Sequence, residues 1–139
     1  MKAGKLFLIP CPIADGNLER SLPSFNKEVI EQIDYFIVEN TRTARRFLKQ
    51  AGYEHSIDST TFLILNEHTQ HTEIISYLDS IADGNIGLLS EAGLPCIADP
   101  GAKIVRMAQE KNINVVPLVG PSSLMMALMA SGFNGQSFA

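Results

Sequence analysis

The segment Ser90-Glu91-Ala92-Gly93-Leu94-Pro95 sets a hydroxyl, a carboxylate and a glycine directly behind a short apolar run, and Asp99-Pro100-Gly101 follows after Cys96-Ile97-Ala98. A glycine at such a junction either lets backbone approach a ligand or simply turns the chain, while Asp99 is placed to cap the next helix. A second junction, Gly120-Pro121-Ser122-Ser123, offers free amides at a helix start, where an anion or the polar edge of a ligand can sit. It lacks the length and the lysine of a phosphate-binding loop, and no strand runs into a dinucleotide glycine fingerprint. Arg42, Arg45 and Arg46 can share a helix face, with Arg42 near the positive end of the helix dipole; the face is either simply solvated or paired with Glu39, or else it holds a phosphate that relieves the dipole's burden. Glu67, His68 and His71 cluster without a third spaced ligand, so no metal is expected; Glu67 and His68 stay candidates for proton transfer. Ser90, Ser122 and Ser123 lack a serine elbow, which leaves nucleophilic catalysis without support.

These residues need elements to carry them. Short apolar runs at Lys5 to Pro10, Asp34 to Val38, Thr61 to Leu65, Asn85 to Leu89 and Asn114 to Leu118 read as strands. Between them lie helical patterns: Lys27 to Gln32 capped by Asn26, Arg42 to Gln50 capped by Asn40 or Thr41, Thr72 to Ala82, and Gly101 to Gln109 behind Asp99-Pro100. A last helix over Leu124 to Ala130 is capped by the Ser122 hydroxyl. Strand and helix alternate five times with crossovers long enough for parallel pairing. The expected fold is therefore α/β, a three-layer sandwich around a five-stranded parallel sheet. Its strand ends deliver polar or glycine-containing loops to one edge, where open α/β sheets bind ligands.

The chain has 139 residues, 45% hydrophobic and 19% charged, which fits one domain with a closed core. A net charge of -4 argues against a main nucleic-acid footprint held by bulk electrostatics, while leaving room for a local basic patch. No run of 18 apolar residues occurs, so neither a membrane span nor a secretory leader is expected, and Cys11 and Cys96 form no disulfide framework. A reducing cytoplasm and no membrane association are expected. Phe133 and Phe138 stand beyond the last helix; either a further segment covers them or they pack back on the domain.

Taken loop by loop, the sequence resembles the tetrapyrrole methylase superfamily, and within it the branch that 2'-O-methylates a cytidine of small-subunit ribosomal RNA. The resemblance rests on Ile9-Pro10-Cys11-Pro12-Ile13 with Gly16-Asn17-Leu18, Glu39-Asn40-Thr41-Arg42 with Arg45, and Glu67-His68. It rests most on Ser90 to Pro95 with Ala98-Asp99-Pro100-Gly101, and on Val116-Pro117 with Gly120-Pro121-Ser122-Ser123. The branch usually reads Pro-Ile-Gly-Asn, Glu-Asp-Thr-Arg and Ser-Asp-Ala-Gly-Thr-Pro. Here Ala14 and Asp15 intervene before Gly16, Asn40 removes a charge, and Glu91 and Leu94 replace the aspartate and the threonine.

The resemblance implies a two-domain, usually homodimeric enzyme that holds S-adenosylmethionine between its domains. On this footing residues 1 to 120 are the amino-terminal methylase domain, and residues 121 to 139 are an interdomain helix leading to a second domain. Cofactor contacts fall to Pro12, Ser90, Glu91, Ala92, Gly93, Gly120, Pro121 and Ser122. Acceptor contacts fall to Gly16, Asn17, Asn40, Thr41, Arg42 and Arg45, with ribosomal RNA or the small subunit as partner. A ribose hydroxyl must lose its proton, for which Glu39, Glu67 and His68 are the candidate groups. Methylation of a tetrapyrrole or other small molecule, and a non-catalytic interaction domain, are the alternatives.

Overall fold

The computed structural model describes residues 3–139. Five strands, β1 (Leu6–Ile9), β2 (Tyr35–Val38), β3 (Thr61–Ile64), β4 (Ile86–Leu89) and β5 (Val115–Pro117), form one sheet in the order β3-β2-β4-β1-β5. All its pairings are parallel, in registers such as Leu6 with Ile86 and Tyr35 with Thr61. Every residue of central β4 is buried, and a Cβ on Gly87 would come within 2.7 Å of the Ile9 Cδ1. Burial on both faces removes the alternation of a half-exposed strand, as the apolar runs suggested.

The helices are α1 (Ser24–Ile30), α2 (Thr41–Gln50), α3 (His71–Asp79), α4 (Gly101–Glu110) and α5 (Ser123–Ser131). Val29 and Ile30 of α1 and Ala44, Phe47 and Leu48 of α2 share one core with Ile9, Phe36 and Leu89. Ile74 and Leu78 of α3 and Ile104, Met107 and Ala108 of α4 share another with Leu6, Ile37 and Leu88. From β1 to β3 the chain winds toward one sheet edge, and from β3 to β5 it winds back. Because the crossover hand is constant, this reversal places α1 and α2 on one face and α3 and α4 on the other.

The expected elements stand, with shifts at their ends. Asn26 does not cap a helix: α1 starts at Ser24, after Pro23, and puts Asn26 inside it, 3% exposed, with Nδ2 donating to the Val119 carbonyl at 2.9 Å. Proline's preset φ beside the helix start outcompeted the cap preference of asparagine. The third helix is split, α3 ending at Asp79 and a 3-10 turn covering Ser80–Ala82. Asp99 stands one residue before the N-cap position, which Pro100 holds without a side-chain cap bond, but its Oδ1 still accepts from Gly101 N at 2.8 Å and from Cys96 N at 2.9 Å. Helix α5 buries none of its residues, and Phe133 and Phe138, at 81% and 58% exposed, do not pack back on the domain. Among the described residues no helix is long and apolar enough to cross a membrane.

Candidate functional site

Strand β4 sits between β1 and β2, but its chain leaves toward α4 while theirs leave toward α1 and α2 on the opposite face. Loops that part in this way open a crevice at the carboxyl ends of the strands. The loops after β1 and β4 are tied across it. Cys11 N donates to Gly93 O at 3.1 Å and Gly93 N to Cys11 O at 3.0 Å, as an isolated antiparallel bridge. The buried Ser90 hydroxyl completes the tie, accepting from Cys11 N at 3.2 Å and donating to Gly93 O at 2.5 Å. Gly93 sits at φ +66, a left-handed conformation that costs other residues strain, and a Cβ there would come within 3.2 Å of the Pro121 carbonyl oxygen and 3.3 Å of Ile13. The third loop joins through Gly120, where a side chain would collide with the ring of Pro10.

Helix α2 enters the same rim. Its cap is Asn40, whose Oδ1 accepts from Arg42 N at 2.9 Å and Thr43 N at 3.3 Å. The Thr43 hydroxyl reaches the Glu91 carboxylate at 2.9 and 3.0 Å, and Gln50 Nε2 donates to Gly16 O at 3.0 Å. A cleft of about 370 Å³ results, walled by Pro12, Asp15, Thr43, Arg46, Gln50, Ser90 and Glu91 over a floor of Val38 and Phe47. A second cleft, of about 330 Å³, lies on the far side of Glu91 and Ala92, which line both. Glu39, Gly93, Leu94, Ile97, Asp99, Ser122 and Leu124 complete it.

Charge differs between the two. The second cleft faces three carboxylates, Glu39, Glu91 and Asp99, and no cation. Glu39 is pushed above the usual carboxylate range, first by burial, then by the charges of Asp99 and Glu91. Among the described residues no three His, Cys, Asp or Glu side chains gather as a metal set, so these carboxylates act as a negative field. That field, beside apolar Leu94, Ile97 and Leu124, suits an organic cation and repels a phosphate. Cys11 and Cys96 are not nucleophiles here: burial pushes their thiols up to about 12 and about 11. In the same loop Cys96 and Ala98 hold φ of 70° and 58°, strain of the kind found at ligand sites.

The residues singled out from the sequence divide among these places. Pro12, Ser90, Glu91 and Ala92 line the first cleft, and Glu39, Glu91, Ala92, Gly93 and Ser122 the second. Gly120 and Pro121 border an adjoining open recess with Ile13 and Arg20. Gly16 and Asn17 edge a further cavity behind Gln50, whereas Thr41, Arg42 and Arg45 lie along the outer side of α2. Glu67 and His68, both 85% exposed and 3.5 Å apart, stand beyond β3 and line neither rim cleft. Thr43 and Gln50 escaped the sequence reading. Their only signal was polarity on the first and last turns of a helix that begins at a strand's carboxyl end, and their partners lie 48 and 34 residues away.

No family model matches the chain. Three bacterial proteins described as ribosomal RNA small subunit methyltransferase I are similar to it. The one from Escherichia coli O157:H7 is 36% identical over 140 residues, covering 97% of this chain and 45% of the relative. Those from Vibrio cholerae and Pseudomonas aeruginosa are each 34% identical over 139 residues, covering 96% and 99% of this chain and 44% and 46% of the relatives. The chain thus spans a little under half the length of the relatives it matches. Similarity to these relatives runs along nearly all of this chain, and the loops of the rim come in the order described, in keeping with the resemblance to the tetrapyrrole methylases.

Proposed function

We propose that this chain is the cofactor- and acceptor-holding half of an S-adenosylmethionine-dependent methyltransferase that modifies a cytidine ribose of small-subunit ribosomal RNA. The observation that carries the reading is the pair of clefts with Glu91 and Ala92 as a common wall. The acidic one is assigned to S-adenosylmethionine and the one beside α2 to the acceptor nucleoside. When bound, the cofactor supplies a sulfonium methyl group. Glu39, Glu91 and Asp99 balance its positive charge, and Gly93, lacking a Cβ, admits it close to the backbone. Thr43 holds the Glu91 carboxylate in place between the clefts. Alignment of the two reactants is the main contribution such a site makes. Of the three groups suited to take the hydroxyl proton, Glu39 alone lines either rim cleft, on the cofactor side of the Glu91 wall, and its raised pKa favours proton capture across it.

Residues 121–139 are assigned to the connection with the rest of the enzyme. Leu124, Met125, Met126 and Met129 of α5 are 44% to 83% exposed, apolar surface that the remaining length of the relatives is suited to cover. In this reading the complete protein is a cytoplasmic homodimer, as the family resemblance implies. Because the resemblance implies that a second domain supplies further cofactor contacts, the test must register weak binding. Titrating S-adenosylmethionine into the ¹⁵N-labelled chain is expected to shift the amides of Ala92, Gly93 and Ser122. Saturating additions that leave those amides unmoved reject the cofactor assignment.

A further inference from the structure

Helix α2 holds four of the chain's eleven cations and no carboxylate, in a polypeptide of net charge -4. Arg42, Arg45, Arg46 and Lys49 are all exposed, opposite the buried Ala44, Phe47 and Leu48. Together with Thr41 they line one open concavity. Arg45 is braced in place, its guanidinium 5.8 Å from the Phe62 ring centroid and 3.9 Å from Asp58. Among the described residues no carboxylate lies within ion-pair distance of Arg42, Arg46 or Lys49.

Such an arrangement opposes the helix that carries it. Like charges three and four residues apart repel, and Arg42 in the first turn faces the positive end of the dipole. A polyanion relieves both. Arg42 and Lys49 are separated by roughly 10 Å of helix, comparable to the rise of about three stacked nucleotides. Three of the four cations are arginines, whose planar forks suit phosphate oxygens. Arg46 also lines the acceptor cleft, so the basic face and that cleft are continuous.

We propose that this face of α2 is a track for the phosphodiester backbone of RNA, laying a single strand so that one nucleotide enters the cleft at Arg46. The inference rests on the methyltransferase reading for the identity of the strand, and it adds Arg46 and Lys49 to the residues that contact it. The acidic second cleft repels the backbone and leaves the strand one side of the rim to follow.

The test is binding of a fluorescently labelled single-stranded oligoribonucleotide across a salt series. For the double variant R46Q/K49Q, the slope of log affinity against log salt is expected to flatten by about 0.7 per cation removed. K103Q/R106Q, on α4 in the opposite helix layer, is expected to leave it unchanged. Equal slopes for both variants, salt-independent binding, no RNA binding, or tighter binding of polyglutamate than of RNA each overturns the track. The S-adenosylmethionine titration reports separately: unmoved amides with the slope change intact remove the cofactor reading alone, and shifted amides with unchanged slopes remove the track alone.

Discussion

The Thr43 hydroxyl lies 2.9 Å from one carboxylate oxygen of Glu91 and 3.0 Å from the other, joining the first turn of α2 to the loop after β4 across 48 residues of sequence. It also lies 3.0 Å from the Asn40 carbonyl, so cap, helix and loop meet at one atom. Glu91 is the wall between the two clefts, and this contact is what orients it.

Replacing Thr43 with valine keeps the shape and removes the hydroxyl. Because the pair is exposed, the fold is expected to lose no more than about 1 kcal/mol. The effect on the site should be larger. In the complete enzyme, KM for S-adenosylmethionine is expected to rise several-fold. An unchanged KM in Thr43→Val means that Glu91 needs no such support.

Gly120 and Gly93 are required for different reasons, and alanine separates them. At Gly120 the added methyl meets the Pro10 ring, overpacking that costs about 1–3 kcal/mol. At Gly93 the cost, about 1–2 kcal/mol, comes from holding φ +66 with a Cβ. Gly135→Ala, with open space around it, is the control and should stay within roughly 0.5 kcal/mol of wild type. Urea unfolding midpoints measure all three; a loss in Gly135→Ala equal to the other two would remove the locking role of the rim glycines.

Glu39 carries a pH signature. Its folded-state pKa is raised by burial and by Asp99 and Glu91, so between its ordinary 4.5 and the raised value the folded chain binds more protons than the unfolded one. Stability from this group is therefore full below 4.5 and is lost as pH rises through the folded pKa. Glu39→Gln is expected to melt higher than wild type near neutrality, and the difference should vanish in acid, where Glu39 is itself neutral. Its affinity for S-adenosylmethionine should fall at the same time. Melting curves that differ equally at both pH values contradict the assigned cause.

The two thiols should be silent. With pKa values pushed up to about 12 for Cys11 and about 11 for Cys96, almost no thiolate exists near neutral pH. A chromogenic disulfide reagent is expected to react slowly with Cys96, more slowly with the buried Cys11, and with both at once in denaturant. Rapid native reaction at Cys11 would show that the Cys11 to Gly93 bridge opens readily.

Much of this molecule is legible in one dimension because its causes are local. Apolar runs stopped by proline or glycine, asparagine and serine before helical periodicity, and the regular alternation of the two are enough to place five strands and their helices. Asn40 and Ser122 cap as their side chains and positions require. Asn26 shows where local preference ends: asparagine favours a cap, but the decision came from Pro23 three residues earlier and from a carbonyl 93 residues away.

What the sequence alone determined is a parallel α/β domain whose strand ends carry Gly93 and Gly120 to a common edge. Only the tertiary structure decided that Glu91 divides two clefts, that Thr43 and Gln50 belong to the rim, and that Glu67 and His68 stand outside both clefts. The reason is strand order. The winding reverses after β3, β4 slips between β1 and β2, and residues dozens of positions apart become neighbours through a sheet register that no local pattern encodes.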